Sequence, residues 1–346
     1  MVMKKSIAGL IAAVLAVGMM AGCGEKADDS AKKDDSASKG SITVYSPHPA
    51  DPLNAGVKEF QEKTGITVNV VAAGTGELLK RVEAEAENPL ADVFWGGGAD
   101  SVANYTKYFD EFTPEADSVI SKEYKDANHK WVGESPLPMV IMYNKKLVKE
   151  SDVPKSWSDL LDAKWKGKIA YADPAKSGSS FTILSTMITA YGKDDGKGWD
   201  FIKNFYSNLD GKVLSSSSGV YKGVADGEYS VGLTLEKEAQ NYVTAGADVG
   251  YIYPSDGTSA VPDSIALIKG CKNPDGAKQF INFVLGKDCQ SMMAEKYNRR
   301  PVRNDMEPPK GLPKMSDIKI VNYDFDWAAT GKADILNKWK DIVVGK

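Results

Sequence analysis

The chain has 346 residues with 43 basic and 47 acidic side chains, a formal charge of -4, three cysteines and two histidines. Basic residues in minority and scattered exclude a phosphate-backbone binder, because nucleic acid demands a clustered cationic surface. Two histidines leave little for imidazole catalysis, and no paired CxxC suggests a structural metal.

Lys4 and Lys5 precede an apolar run over 7–20, followed by Ala21, Gly22 and Cys23. The run falls short of the roughly 20 residues needed to span a bilayer, and its basic start and small-residue end are those of a cleaved export signal. Met20-Ala21-Gly22-Cys23 resembles a bacterial lipobox, which makes Cys23 the lipidated first residue of the mature chain. Residues 24–40 contain no aromatic and no branched aliphatic side chain. They cannot bury enough apolar surface to offset the entropy of ordering, so they read as a tether. Without Lys4 and Lys5 the charge becomes -6, from 41 basic against 47 acidic residues.

The remaining stretch of about 300 residues exceeds one typical domain and predicts two lobes. Residues 41–46 are a β-branched run ending at a proline. A helix is expected at 55–64, a strand at 66–71, a helix at 77–87 and a strand at 91–95. Such alternation predicts an α/β fold with parallel pairing. A strand at 138–144 leaves this region. Residues 157–161 and 169–171, a helix at 181–190, a strand at 212–214 and a helix at 220–225 form a second one. A buried strand at 264–268 and helices at 275–285 and 290–297 follow. The helix at 275–285 separates Cys271 from Cys289 by about 15 Å or more. A bridge spans only about 7 Å between Cα atoms, so two free thiols are expected. Trp157, Trp165 and Trp199 read as core.

The order of ITVYSPH at 42–48, AAGTGELLKRVEAEAENPLADVFWGGG at 72–98, Tyr143-Asn144, Trp165-Lys166-Gly167-Lys168-Ile169, DPAKSGSSF at 173–181, VADGEYSVGL at 224–233 and KNPDGAKQFINFVLGKDCQ at 272–290, ahead of Arg300-Pro301-Val302-Arg303, resembles the extracellular solute-binding proteins of bacterial ABC importers. The similarity is to the branch holding ferric-iron, phosphonate and sugar-phosphate binders, in lipoprotein form. It implies the type II periplasmic-binding-protein fold, α/β with mixed sheets, hinge strands and a ligand cleft between two lobes. The expected division is a signal peptide at 1–22, a lipidated tether at 23–40, one lobe from 41–137 plus 258–303, and another from 138–257 plus 304–346. Implied partners are a small anionic solute, the importer's transmembrane subunits and the outer face of the cell membrane through the lipid alone. The chain is expected to be a monomer without cofactor or metal and not an enzyme.

In open α/β sheets ligands sit beyond the carboxyl ends of strands, where helix N-termini expose unpaired N–H groups. That rule selects Ser46 and His48 after the first strand, Thr75 and Gly76 after the second, and Gly97 after the third. It also selects Ser177, Ser179 and Ser180 before the helix at 181, and Ser217 and Ser218 before the helix at 220. Each serine or glycine could equally serve as a local cap or turn. Glu236 is the expected acceptor for a ligand hydroxyl or ammonium, and Asp256 a contact where the chain recrosses, although Asp-Gly turn chemistry also explains it. Ferric-iron members of the branch carry a tyrosine pair after the strand at 231–235, where this chain reads Thr-Leu-Glu-Lys-Glu-Ala. The resemblance therefore favours a sugar phosphate or phosphonate, with ferric iron or an iron–anion complex as the alternative and a secreted phosphate-handling hydrolase behind it.

Overall fold

The computed structural model of the chain describes residues 40–345; the signal, lipobox and most of the tether lie outside the described residues. In chain order come β1 (Ser41–Ser46), α1 (Ala50–Thr64), β2 (Thr67–Ala72), α2 (Thr75–Ala84), β3 (Val93–Gly98) and the single turn α3 (Ala99–Val102). Next are β4 (Val132–Asn144), β5 (Ile169–Ala170), α4 (Gly178–Tyr191), α5 (Lys197–Leu209), α6 (Ser217–Ala225), β6 (Val231–Leu235), α7 (Glu236–Thr244) and β7 (Val249–Ile252). The chain closes with β8 (Ala260–Leu267), α8 (Pro274–Val284), α9 (Lys287–Tyr297), α10 (Phe325–Thr330) and α11 (Lys332–Val343).

The strands follow the order β2-β1-β3-β8-β4-β6-β5, with β7 also on β4. Only β1–β2, β1–β3 and β5–β6 are parallel. Every ladder involving β8 or β4 is antiparallel, so the sheet is mixed where simple alternation predicts parallel pairing. β4 is the long element of the fold. Its residues up to Pro138 pair with β8, and from Met139 onward it pairs with β6 and β7. Sequence reading places only 138–144 as strand, whereas the structure extends it back to Val132 through Pro136, which cannot donate to a ladder. The first half bulges between Gly133 and Ser135. The stretch 212–214 contributes no strand, only a bridge from Leu214 to Ala172.

Two strand groups thus meet within β4. On the first, α1, α8 and α9 cover one face, where the Phe280 ring lies edge-on to both Phe60 and Trp95, with centroids 5.0 and 5.3 Å away. On the second, Val220, Val224 and Ala239 from α6 and α7 pack on Val140, Met142 and Ala170. α4 touches β3 of the first group and β6 of the second. The stretch 304–345 straddles both groups: α10 packs on α3, and α11 on α5. Cys271 and Cys289 are unbridged, and burial pushes the Cys271 thiol to about 11. No helix among the described residues is long and apolar enough to cross a membrane.

Candidate ligand-binding site

At the carboxyl ends of β1, β2, β3 and β6 lies a cavity of about 740 Å³, large enough for an organic solute. Its walls come from both strand groups. The loops after β1, β2 and β3 contribute His48, Thr75, Gly76 and Gly97, and the segments before α4 and α6 contribute Ser177, Ser179 and Ser217. Leu137, Met139, Val261 and Asp263 line the passage between the groups.

The helices α2, α3, α4, α6 and α7 all begin at this cavity. Ser177 caps α4 by accepting from the Ser180 N–H at 3.2 Å, and Ser216 caps α6 through Gly219 at 3.4 Å. No side chain caps α2 or α7, whose first N–H groups face the space with the positive end of the helix dipole. The β3 turn is shaped by close approach. Gly97 has φ +76°, and a Cβ there would sit 2.6 Å from Thr75 Cγ2. Gly76 and Gly178 instead have open space where a side chain would begin.

Charge reinforces the dipoles. Lys80, Lys176, Lys237 and Lys332 line the cavity against three carboxylates, Asp100, Glu238 and Asp263. Two of the acids are already engaged. Asp100, on the wall of α3, accepts from Thr182 Oγ1 at 2.8 Å and Tyr323 Oη at 3.1 Å. Asp263 accepts from Arg299 Nη2 at 2.9 Å, and the same guanidinium nitrogen bonds Glu134. Burial alone would raise the Asp263 carboxyl, but the charges of Arg299 and Lys237 and the Arg299 hydrogen bond outweigh it and hold it below the usual carboxylate value. His48 joins this cluster, with Nε2 3.3 Å from Glu134 Oε1. His48, Glu134 and Asp263 could offer ligand atoms to a cation within 4.8 Å of one another. Arg299 already occupies an oxygen of each carboxylate, which sets that group against metal binding.

The structure brings seven of the sequence-selected residues to the wall: His48, Thr75, Gly76, Gly97, Ser177, Ser179 and Ser217. Five are placed elsewhere. Ser46 is fully buried and accepts from the His48 N–H at 3.2 Å. Ser180 is buried, with its N–H given to the α4 cap and its carbonyl to Tyr171 Oη. Ser218 lies off the wall, its hydroxyl 3.0 Å from that of Ser216. Asp256 holds the Trp157 and Ser158 N–H groups and the Tyr191 hydroxyl. Glu236 faces inward: its two oxygens take the Arg300 guanidinium at 2.8–3.0 Å, and Tyr253 Oη donates at 2.5 Å. Its carboxylate is occupied by the protein. Sequence reading misses Lys237, Lys332, Asp100, Tyr105 and Tyr221, all on the wall. Lys332 comes from the far C-terminus, packed over the Phe181 ring and donating to Ser101 Oγ at 3.1 Å.

A cavity at strand carboxyl ends, walled from two strand groups and open to solvent, defines a receptor for small solutes. The chain belongs to the bacterial extracellular solute-binding proteins, whose sequence profile matches residues 55–319. It is 30% identical over 331 residues to a Salmonella paratyphi A periplasmic protein provisionally named for 2-aminoethylphosphonate binding, covering 87% of this chain and 92% of that protein. It is 24% identical over 342 residues to iron uptake protein A1 of Synechocystis, covering 93% and 92%. Among solved structures, the periplasmic binding protein AfuA of Actinobacillus pleuropneumoniae, with fructose 6-phosphate bound, superposes with a TM-score of 0.79 at 24% identity, covering 89% of this chain and 99% of that one. The fold is the two-lobe periplasmic-binding-protein fold, and the chain is the extracytoplasmic substrate-binding component of an ABC importer.

Proposed function

We propose that the chain captures a small organic anion bearing a phosphate or phosphonate group, and delivers it to the importer unchanged. The carrying observation is the convergence of four helix N-termini of two turns or more, α2, α4, α6 and α7, on one cavity whose lysines outnumber its uncommitted carboxylates. Hydroxyls at Thr75, Ser177, Ser179 and Ser217 add donors suited to phosphoryl oxygens. The provisional name of the 30% identical Salmonella relative supports the same ligand chemistry.

The two strand groups are the proposed lobes, 41–137 plus 258–303 and 138–257 plus 304–346, with the last segment reaching back to the first. Ligand contact with both is what favours a closed form, since closure requires bonds the open form lacks. Lipidation at Cys23 with residues 24–40 as leash anchors the proposed monomer to the outer face of the membrane. Ferric iron is the competing ligand. Burial and the Glu238 charge raise the Tyr221 phenol to about 12, and burial with the Glu83 charge raises Tyr105, so neither is set to ionise. Tyr108 lies beside Tyr105 and Tyr242 beside Tyr221, with ring centroids 6.2 and 5.7 Å apart, but neither Tyr108 nor Tyr242 reaches the wall to complete a phenolate pair.

The test is a thermal-shift panel of 2-aminoethylphosphonate, fructose 6-phosphate, inorganic phosphate and ferric citrate. Ligand that binds only the folded state raises its midpoint, by about 2.7 kcal/mol of stability at a hundredfold excess over Kd. An organic phosphate or phosphonate should do so, and less in Thr75→Ala/Ser179→Ala. Stabilisation by ferric citrate alone would refute the proposal.

A further inference from the structure

α7 opens on Glu236-Lys237-Glu238, and these side chains diverge. Glu236 turns inward to Arg300, while Lys237 and Glu238 reach the cavity wall. The Lys237 side chain is 11% exposed, and its nearest carboxylate, Glu238, is 3.9 Å away, beyond hydrogen-bond reach. Among the described residues its ammonium donates no hydrogen bond.

The groups facing it from the packed elements are Glu134 on β4, Asp263 on β8, Arg299 after α9 and Glu238 on α7 itself, with His48 after β1 against Glu134 and Asp263. Arg299 is bound to both Glu134 and Asp263, and none of the carboxylates comes within hydrogen-bond distance of the Lys237 ammonium. An ammonium on the cavity wall without a hydrogen-bonded protein partner is available to an arriving anion.

We infer that Lys237 is a ligand-binding residue whose ammonium, together with the uncapped N–H groups of the α7 opening turn, pairs with the acidic head of the captured solute. The inference rests on the anion reading above and deepens it. Lys237 confers selectivity for charged over neutral analogues, because a neutral ligand offers its ammonium no counter-charge. Burial, and then the like charge of Arg299, holds the ammonium below the ordinary lysine value. Affinity therefore falls as pH rises through that lowered value, earlier than titration of exposed lysines predicts.

The experiment titrates the full chain with 2-aminoethylphosphonate and fructose 6-phosphate by calorimetry between about pH 7 and about pH 10. Lys237→Met should weaken the probe that binds wild type by about tenfold or more and flatten the alkaline fall, while Lys237→Arg keeps most affinity. Unliganded Lys237→Met should keep the wild-type unfolding midpoint, since the Lys237 ammonium makes no hydrogen bond within the described residues. Equal affinity and an unchanged pH profile in Lys237→Met overturn the inference and leave the anion reading standing. A binding loss that merely follows a lowered unfolding midpoint assigns Lys237 to the framework and also overturns it. If wild type binds neither probe, the anion reading fails first.

Discussion

Single residues at the cavity separate into those that shape it and those that contact its contents. Gly97 and Gly178 illustrate the two. At Gly97 a Cβ meets Thr75 Cγ2 at 2.6 Å on a positive-φ backbone, whereas at Gly178 nothing lies within 4 Å. Gly97→Ala should therefore lower stability by about 1–3 kcal/mol through backbone strain, read by chemical denaturation. Gly178→Ala should fold normally and lose affinity, because its methyl enters the space an anion needs at the start of α4. The same scale explains why Glu236 read as a ligand acceptor and not as an ion-pair partner. Its counterion, Arg300, lies 64 residues on in the chain. Lys237 is one position away, but successive helical residues point about 100° apart. Sequence alone does not say which of Glu236, Lys237 and Glu238 faces ligand.

Helix starts carry the next level of the account. Ser177 on α4 and Asn273 on α8 make the same cap, each accepting an N–H three residues on, at 3.2 and 3.0 Å. Only Ser177 lines the cavity. Ser177→Ala and Asn273→Ala should each cost about 1 kcal/mol of stability, while only Ser177→Ala weakens ligand binding; equal effects of both on affinity would contradict the site. These starts were legible because hydroxyls and glycines precede apolar runs at 75–84 and 178–191. The N-terminal half of β4 was not, since Pro136 and Pro138 carry the signature of a broken strand. That strand survives because its residues pair with β8, where Pro136 stands opposite Pro262, and because a bulge absorbs the misfit.

For the molecule as a whole, β4 is the element that makes a receptor from two α/β halves. It changes partners between Pro138 and Met139, and Thr258 Oγ1 ties the returning chain to the Met139 carbonyl at 2.7 Å. The order of strand, loop and helix exposed the α/β class and seven residues of the wall. The contribution of Lys332 could not be read, because α11 enters the cavity through packing across both strand groups. The most direct test of the central claim is the crystal structure of the complex with the panel compound that stabilises the chain most. The account predicts its phosphate or phosphonate oxygens within hydrogen-bond distance of Thr75 or Ser179, with contacts from both strand groups at once. A phosphorus group outside the cavity, contacts from one group alone, or iron held by Tyr105 and Tyr221 would contradict it.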